Sequence, residues 1–252
     1  MKESTSKKGR IRLDELLVLR GLVDSRSKAR ALIMAGSVLV EGERVDKAGV
    51  MVAPQARIEV KGGQKYVSRG GLKLEAALKH FSIDPKGMVA IDIGASTGGF
   101  TDCLLKHGAE RVHAVDVGYG QLDWSLRENK RVMVHERINA RYLMFENIGE
   151  RVDIATLDVS FISLTLVVPP LLSILRNGGI LIALIKPQFE VGKGEVGRGG
   201  IVRDETKRMQ VVDRIRGFLS DLGFDVMGVI PSPIPGADGN IEYLIAATLN
   251  KR

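Results

Sequence analysis

Four ionisable side chains stand where otherwise apolar elements begin or end: Lys73 opening LKLEAALKHF, Asp158 after VDIATL, Lys186 after LIALI, and Glu242 in NIEYLIA. Lysines accompanied by carboxylates suit proton removal from a weak nucleophile such as a hydroxyl, which at neutral pH needs a positioned base. Taken singly, each reads equally well as half of an ordinary salt bridge. The ends of parallel strands point into one crevice, however, so the four can converge although they are spread from residue 73 to residue 242.

A second constellation lies in MVAIDIGASTGGFTDCLLKHG, which reads as a buried strand, a glycine turn and a helix. Gly94, Gly98 and Gly99 let the backbone approach a ligand closely; Asp92 precedes them, and Ser96 and Phe100 belong to the same turn and helix start. Asp116 closes the next strand, RVHAVDVGYG, where a carboxylate can accept both hydroxyls of a ribose. Asn139 follows the strand MVHERIN. The glycine spacing departs from G-x-G-x-x-G, but a nicotinamide dinucleotide stays open as an alternative occupant. Cys103 sits in the helix beside Leu104 and Leu105, where a packed, inert thiol is expected rather than a nucleophile.

The frame for these residues is an alternation of strands and helices. After VDIATLDVSF a helix is expected through Ser173 to Arg176, then the strand GGILIALI. The last two strands, in FDVMGVIP and YLIAATL, are joined by a Pro/Gly-rich loop without a helix, which predicts a terminal antiparallel hairpin on a mostly parallel α/β sheet. Ahead of this, IRLDELLVLRGL predicts a helix from Ile11 to Gly21, and Ser25 caps a second one, SRSKARALIMAG. SVLVEGERV is a hairpin around Glu41-Gly42, followed by a strand in ARIEV. The expected organisation is a small α+β domain over 1–60, a linker over 61–70 and a large domain over 71–252. The glycine-rich stretch 191–205 has no period and reads either as a mobile loop that orders on a bound ligand or, equally, as a plain flexible connection.

Composition narrows the class. With 44% hydrophobic and 27% charged residues in a 252-residue chain, disordered, collagen-like and disulfide-scaffold proteins are excluded. One cysteine forms no internal disulfide, and four scattered histidines give no metal-ligand spacing, so no metal and a reducing, cytoplasmic setting are expected. The uncharged run Leu16 to Leu19 is too short for a signal or a membrane span. Residues 1–66 carry 14 basic against 8 acidic side chains, whereas the remaining 186 carry 23 against 22. A small basic unit before a near-neutral one suits a grip on polyanions, although a solubilising tail fits the charge equally.

The stretch RLDELLVLRGLVDSRSKARALIMAGSVLVEGERV resembles the S4 RNA-binding domain, which implies contact with structured RNA by Arg10, Arg12, Arg26, Lys28 and Arg30. The glycine turn with Asp92 and Asp116 resembles S-adenosylmethionine-dependent methyltransferases, in which Asn139 would hold the adenine amine. Base N-methylating members carry an Asn/Asp-Pro-Pro-aromatic tetrad after the fourth strand; Asp158-Val159-Ser160-Phe161 lacks both prolines. The order Lys73, Asp158, Lys186, Glu242 resembles instead the tetrad of FtsJ-type ribose 2′-O-methyltransferases.

With SRGGLKL, DIGASTGGFTD, AVDVGYGQL, LDVSFIS, IKPQFE and NIEYL, the chain from about 10 to 248 resembles the TlyA family. That resemblance implies 2′-O-methylation of cytidine in rRNA, at helix 69 of the large subunit and in some members also helix 44 of the small one. It implies Lys186 as base, its neutral form favoured by burial and by nearby Lys73, with Asp158 and Glu242 orienting the lysines and the ribose. Arg69, Arg137, Arg141 and Lys193 are expected on phosphates, and Tyr119 on a displaced base or in local packing. The family's haemolysin history finds no amphipathic or apolar pore-forming segment in this sequence. A noncatalytic ribosome-assembly factor that keeps the fold, and a small-molecule or protein methyltransferase, are the competing expectations.

Overall fold

The computed structural model describes residues 9–23, 25–60, 65–192, 194–197, 199–236 and 239–250. The chain divides into two compact units, 1–65 and 66–252.

The smaller unit contains β1 (Ile11–Arg12), α1 (Leu13–Leu19), α2 (Arg26–Met34), β2 (Val38–Val40), β3 (Glu43–Val45), β4 (Met51–Val52) and β5 (Ile58–Val60). The first helix starts at Leu13 rather than Ile11, because Ile11 and Arg12 pair as a strand with Val52 and Met51. Ser25 caps α2 by accepting from the Lys28 amide at 3.2 Å. Glu41 and Gly42 both take positive φ, 53° and 84°, the two-residue turn that matches the twist of a tight hairpin. Leu13, Leu16 and Leu17 of α1 bury against Ala29 and Ile33 of α2 and Val38 of β2.

The larger unit runs α3 (Gly70–His80), β6 (Val89–Ile93), α4 (Gly99–Lys106), β7 (Arg111–Val115), α5 (Trp124–Arg127), β8 (Val132–His135), α6 (Phe145–Ile148), β9 (Val152–Leu157), α7 (Leu164–Leu171), β10 (Leu175–Ile185), α8 (Pro187–Glu190), α9 (Glu205–Asp221), β11 (Phe224–Pro231) and β12 (Tyr243–Leu249). Its seven-stranded sheet has the order β11-β12-β10-β9-β6-β7-β8. Only β12 runs against its neighbours, pairing antiparallel with β10 and β11, so the hairpin expected from the sequence closes the sheet.

Strands such as VAIDI are buried on both faces, which is why they read as continuous apolar runs. Ile91 and Ile93 face a core with Val167 and Leu171 of α7 and Ile215 of α9; Ala90 faces the opposite core with Leu74 of α3 and Leu104 of α4. Each such aliphatic side chain, fully buried, contributes about 1.5–3 kcal/mol.

Two further expectations change. The helix expected through Ser173 to Arg176 ends at Leu171, since Pro169 and Pro170 lack the amide protons that continue a helical ladder. Three-residue turns follow, and Leu175 already pairs with Val152 as β10. The second half of the expected linker lies inside the larger unit: Tyr66 is buried, and the Val67 amide donates to the Asp102 carboxylate at 2.9 Å. A Cβ on Gly71 would fall 2.2 Å from the Tyr66 ring, so glycine admits this packing.

Candidate active site

The glycine turn leaves β6 at Gly94, whose φ is 81° and whose absent Cβ would lie 2.7 Å from the Asp158 carbonyl. Only glycine accepts both that backbone and that approach. The Ser96 amide donates to Asp116 Oδ2 at 2.8 Å and the Gly118 amide to Oδ1 at 2.7 Å, fixing the carboxylate at the end of β7. Asn139 accepts from the Arg141 amide at 3.1 Å. Gly94, Ser96, Asp116, Asn139, Asp158 and Phe161 line one cleft of about 710 Å³, a size suited to a small-molecule ligand.

Asp92 is placed differently from the ligand contact expected of it. It is fully buried, with its carboxylate oxygens accepting from Thr101 Oγ1 at 2.7 Å and Thr156 Oγ1 at 3.1 Å. It therefore ties α4 and β9 beneath the turn instead of reaching the cleft. Burial pushes its carboxyl up to about 7. Gly98, at φ 95°, is not in the wall of the cleft either; its absent Cβ would lie 2.2 Å from Leu126, so its glycine is required by packing. Gly99 and Phe100 line the neighbouring pocket rather than the cleft.

That pocket, about 290 Å³, holds Arg69, Lys73, Asp158, Ser160, Lys186 and Gly236 in its wall. It shares Gly94, Ser96, Asp158 and Ser160 with the cleft, so the two cavities adjoin at the end of β9. Lys186 Nζ lies 2.7 Å from Asp158 Oδ1 and donates to Ser160 Oγ at 2.9 Å. Lys73 Nζ donates to Glu242 Oε2 at 2.6 Å. Both lysines and Glu242 are buried. The lysines, expected to face one another as like charges, are thus each matched with a carboxylate. A buried pair of this kind is costly to break, because removal of one partner strands the other charge.

Backbone geometry explains the convergence. Pro187 restricts the preceding residue to extended conformations, and Lys186 at φ −111° and ψ 98° carries its side chain off the end of β10. Antiparallel β12 starts at the sheet edge where its parallel neighbours end; Ile185 is paired with Tyr243, which sets Glu242 beside Lys186 in register. Glu242 itself stands behind Lys73, outside the pocket wall.

The expected RNA contacts separate into groups. Arg69 is in the pocket wall and Arg141 in the cleft wall. Arg137, at φ 61°, places its guanidinium 4.6 Å from the Tyr119 ring, whose residue is 68% exposed. Lys193 lies outside the described residues. In the smaller unit Arg10 is exposed. Arg12, Arg26 and Arg30 converge on the fully buried Asp14 at 3.0, 3.3 and 3.0 Å. Those bonds hold Asp14 well below the usual carboxylate range. Lys28 is only half-buried and lies on another side of α2.

Several residues were not singled out from the sequence. Phe161 is 89% exposed at a left-handed φ of 61°, with its ring 4.7 Å from Phe189, beside the cleft. Glu190 accepts from Ser163 Oγ at 2.7 Å and the Leu164 amide at 2.8 Å, and burial raises its carboxyl. Ser160 and Asp14 complete the set; the first was visible only as a tetrad position and the second as one acid in a basic stretch. Cys103 is buried, as expected of a packed thiol. Among the described residues no acidic, histidine or cysteine cluster suits a metal, and no helix is long and apolar enough to cross a membrane.

Residues 66–249 match the FtsJ-like methyltransferase family and residues 11–58 the S4 domain family. A Bacillus subtilis protein provisionally named rRNA methyltransferase YqxC is 50% identical over 96% of this chain and 86% of its own. The 16S/23S rRNA (cytidine-2′-O)-methyltransferase TlyA of Mycobacterium tuberculosis is 47% identical over 94% of this chain and 89% of its own. The solved structure of a Streptococcus thermophilus protein carrying the provisional name hemolysin superposes with a TM-score of 0.75 at 44% identity, covering 96% of this chain and 90% of that one. With both domains matched in order and full-length relatives at this identity, the chain belongs to the TlyA family, an S4 domain followed by an FtsJ-like methyltransferase domain.

Proposed function

We propose that the protein transfers the methyl group of S-adenosylmethionine to the ribose 2′-hydroxyl of a cytidine in rRNA, acting in the cytoplasm on ribosomal subunits. Helix 69 of the large subunit is the proposed target, with helix 44 of the small subunit as a second one. The observation that carries this reading is the junction of the two cavities: a cleft with Asp116 and Asn139 opens at Gly94 and Asp158 onto a pocket walled by two lysines.

The residues fit the cofactor. Gly94 lines both cavities, and its left-handed turn is held against the Asp158 carbonyl, where a Cβ would lie at 2.7 Å. Each oxygen of Asp116 accepts one backbone amide and keeps capacity for a ribose hydroxyl. Asn139 lines the same cleft and would hold the adenine amine. When bound, the cofactor supplies an electrophilic methyl on a sulfonium.

The chain's own residues then do the rest. Lys186, acting from its neutral form, takes the 2′-hydroxyl proton onto Nζ, and Asp158 at 2.7 Å stabilises the ammonium that results. Lys73, oriented by Glu242 at 2.6 Å, stabilises charge developing on the acceptor oxygen. Arg69, in the pocket wall, would hold the adjoining phosphate. The open faces of Tyr119 and Phe161 suit a base drawn out of its stack. The S4 unit supplies phosphate contacts through Arg10, Arg12, Arg26 and Arg30.

The test is transfer of labelled methyl to separated subunits lacking the modification, followed by digestion to nucleosides. Label in 2′-O-methylcytidine is the expected result, and the labelled subunit identifies the target. Label on a base overturns the roles of Lys73 and Lys186. Cofactor binding without transfer to either subunit favours a noncatalytic assembly factor.

A further inference from the structure

Resting on the reading of Glu242 as the group that orients Lys73, the residues that fix Glu242 become part of the machinery. Its carboxylate is walled by Gly236, whose absent Cβ would lie 2.0 Å from Oε1. The Gly236 amide donates to the Asn240 carbonyl at 2.9 Å, closing the turn that leads into Glu242. The Asn240 side chain is buried and works in both directions. Its Oδ1 accepts from the Val202 amide at 3.3 Å, and its Nδ2 donates to the Gly200 carbonyl at 3.0 Å. An amide alone among side chains of this size offers donor and acceptor at those two places. Arg208 secures the same segment from the other side, donating to the carbonyls of Val202 at 3.1 Å and Arg203 at 2.6 Å, with Tyr243, the neighbour of Glu242, at 3.4 Å.

We infer that Asn240 is a positioning residue for methyl transfer: bonded to Gly236 through its carbonyl and to the segment 200–202 through its side chain, it holds Glu242 against Lys73. Asn240 lines neither cavity, so its influence runs through Glu242 and not through contact with cofactor or RNA. The clamped segment is the continuation of the chain that leaves the active site at Lys186. Its anchorage on the Glu242 turn therefore links the surroundings of both lysines.

The experiment is a double-mutant cycle on the full chain, with Asn240→Ala, Glu242→Gln and the pair, measuring kcat on unmodified subunits, cofactor Kd and subunit affinity. Misplacement of a reacting group by an ångström can cost about 100-fold, and Asn240→Ala is expected to lower kcat roughly 10- to 100-fold. Both affinities stay within about twofold of wild type. In the Glu242→Gln background the same substitution is expected to cost nothing further, because its route of action is already cut. An unchanged kcat for Asn240→Ala, a full additional loss in the double variant, or a parallel fall in cofactor affinity overturns the inference. Wild-type turnover in Glu242→Gln alone instead overturns the role given to Glu242. Asn240→Ser, whose hydroxyl keeps donor and acceptor at shorter reach, carries the same cycle if the alanine variant does not fold, with a smaller expected loss and the same overturning outcomes.

Discussion

Replacing Asp92 with asparagine should change how stability depends on pH. In the native state the carboxyl is fully buried beneath the glycine turn, and burial raises it to about 7 from an ordinary 3.8. A raised native value means that the unfolded chain releases the proton first. The contribution of Asp92 is therefore complete below about pH 4, declines as pH rises, and is lost once pH passes about 7. Between those limits the slope is about 1.4 kcal/mol per pH unit, so from pH 5 to pH 7 the wild type should lose roughly 2–3 kcal/mol through this group.

Two other groups titrate nearby. Glu190, also raised by burial, adds to the decline, and His135, lowered by burial, opposes it. The difference between wild type and Asp92→Asn removes both from the comparison. Urea denaturation at half-unit steps from pH 5 to pH 8 is the assay. The expected result is a gap between the two stability curves that changes by roughly 2–3 kcal/mol across the range and is flat above pH 7.5. Parallel curves would refute the assignment of Asp92 as a neutral, buried anchor and would return it to the ligand-binding role first expected of it.

Lys186→Ala should lower methyl transfer about 10²- to 10⁴-fold, the range of a lost general base, with cofactor affinity in calorimetry unchanged; full activity removes Lys186 from the mechanism. Gly94→Ala adds a Cβ at 2.7 Å from the Asp158 carbonyl in a left-handed backbone, so cofactor affinity should fall at least tenfold. Normal affinity would show that the turn does not cradle the ligand. Asp14→Asn frees Arg12, Arg26 and Arg30 from their shared carboxylate, and rRNA affinity measured against salt should weaken although the variant gains positive charge. Tighter binding at every salt concentration would mean that net charge, not arrangement, governs the contact.

The sequence made the frame legible because its strands are long apolar runs and its turns carry glycine or proline at the positions that need them. Ser25, Glu41-Gly42 and the glycine turn at 94–99 all behave as their residue types dictate. The helix end at Leu171 was misplaced because two prolines inside an apolar stretch do not mark by themselves where the ladder stops. Asp92 was misread because a carboxylate before a glycine turn looks the same from sequence whether it faces ligand or core; Thr101 and Thr156, far apart in the chain, decide it. The exposure of Phe161, visible in the sequence only as a tetrad position, and the place of Asn240 escaped notice for a related reason. Exposure in a left-handed turn and a two-way amide clamp are properties of tertiary contacts, and neither leaves a periodic signal.

The arrangement of the tetrad follows from the single antiparallel strand. In a wholly parallel sheet the residue before the last strand would lie at the edge opposite the glycine turn. Because β12 runs the other way between β10 and β11, its first residues lie where β9 and β10 end, and the register Ile185 with Tyr243 sets Glu242 next to Lys186. The two nonetheless do not pair in the structure. Lys186 turns toward β9, where Asp158 follows Leu157, and Glu242 is taken by Lys73 from α3. Each lysine thus stands against a carboxylate from another element. The pocket between them can accept a neutral hydroxyl and move its proton within the group. Exchanging the partners, by Lys73→Glu with Glu242→Lys, should keep the buried pair and the fold but lose transfer, since the cation would no longer stand in the pocket wall. Retained activity in that double variant would show that the pair serves stability alone.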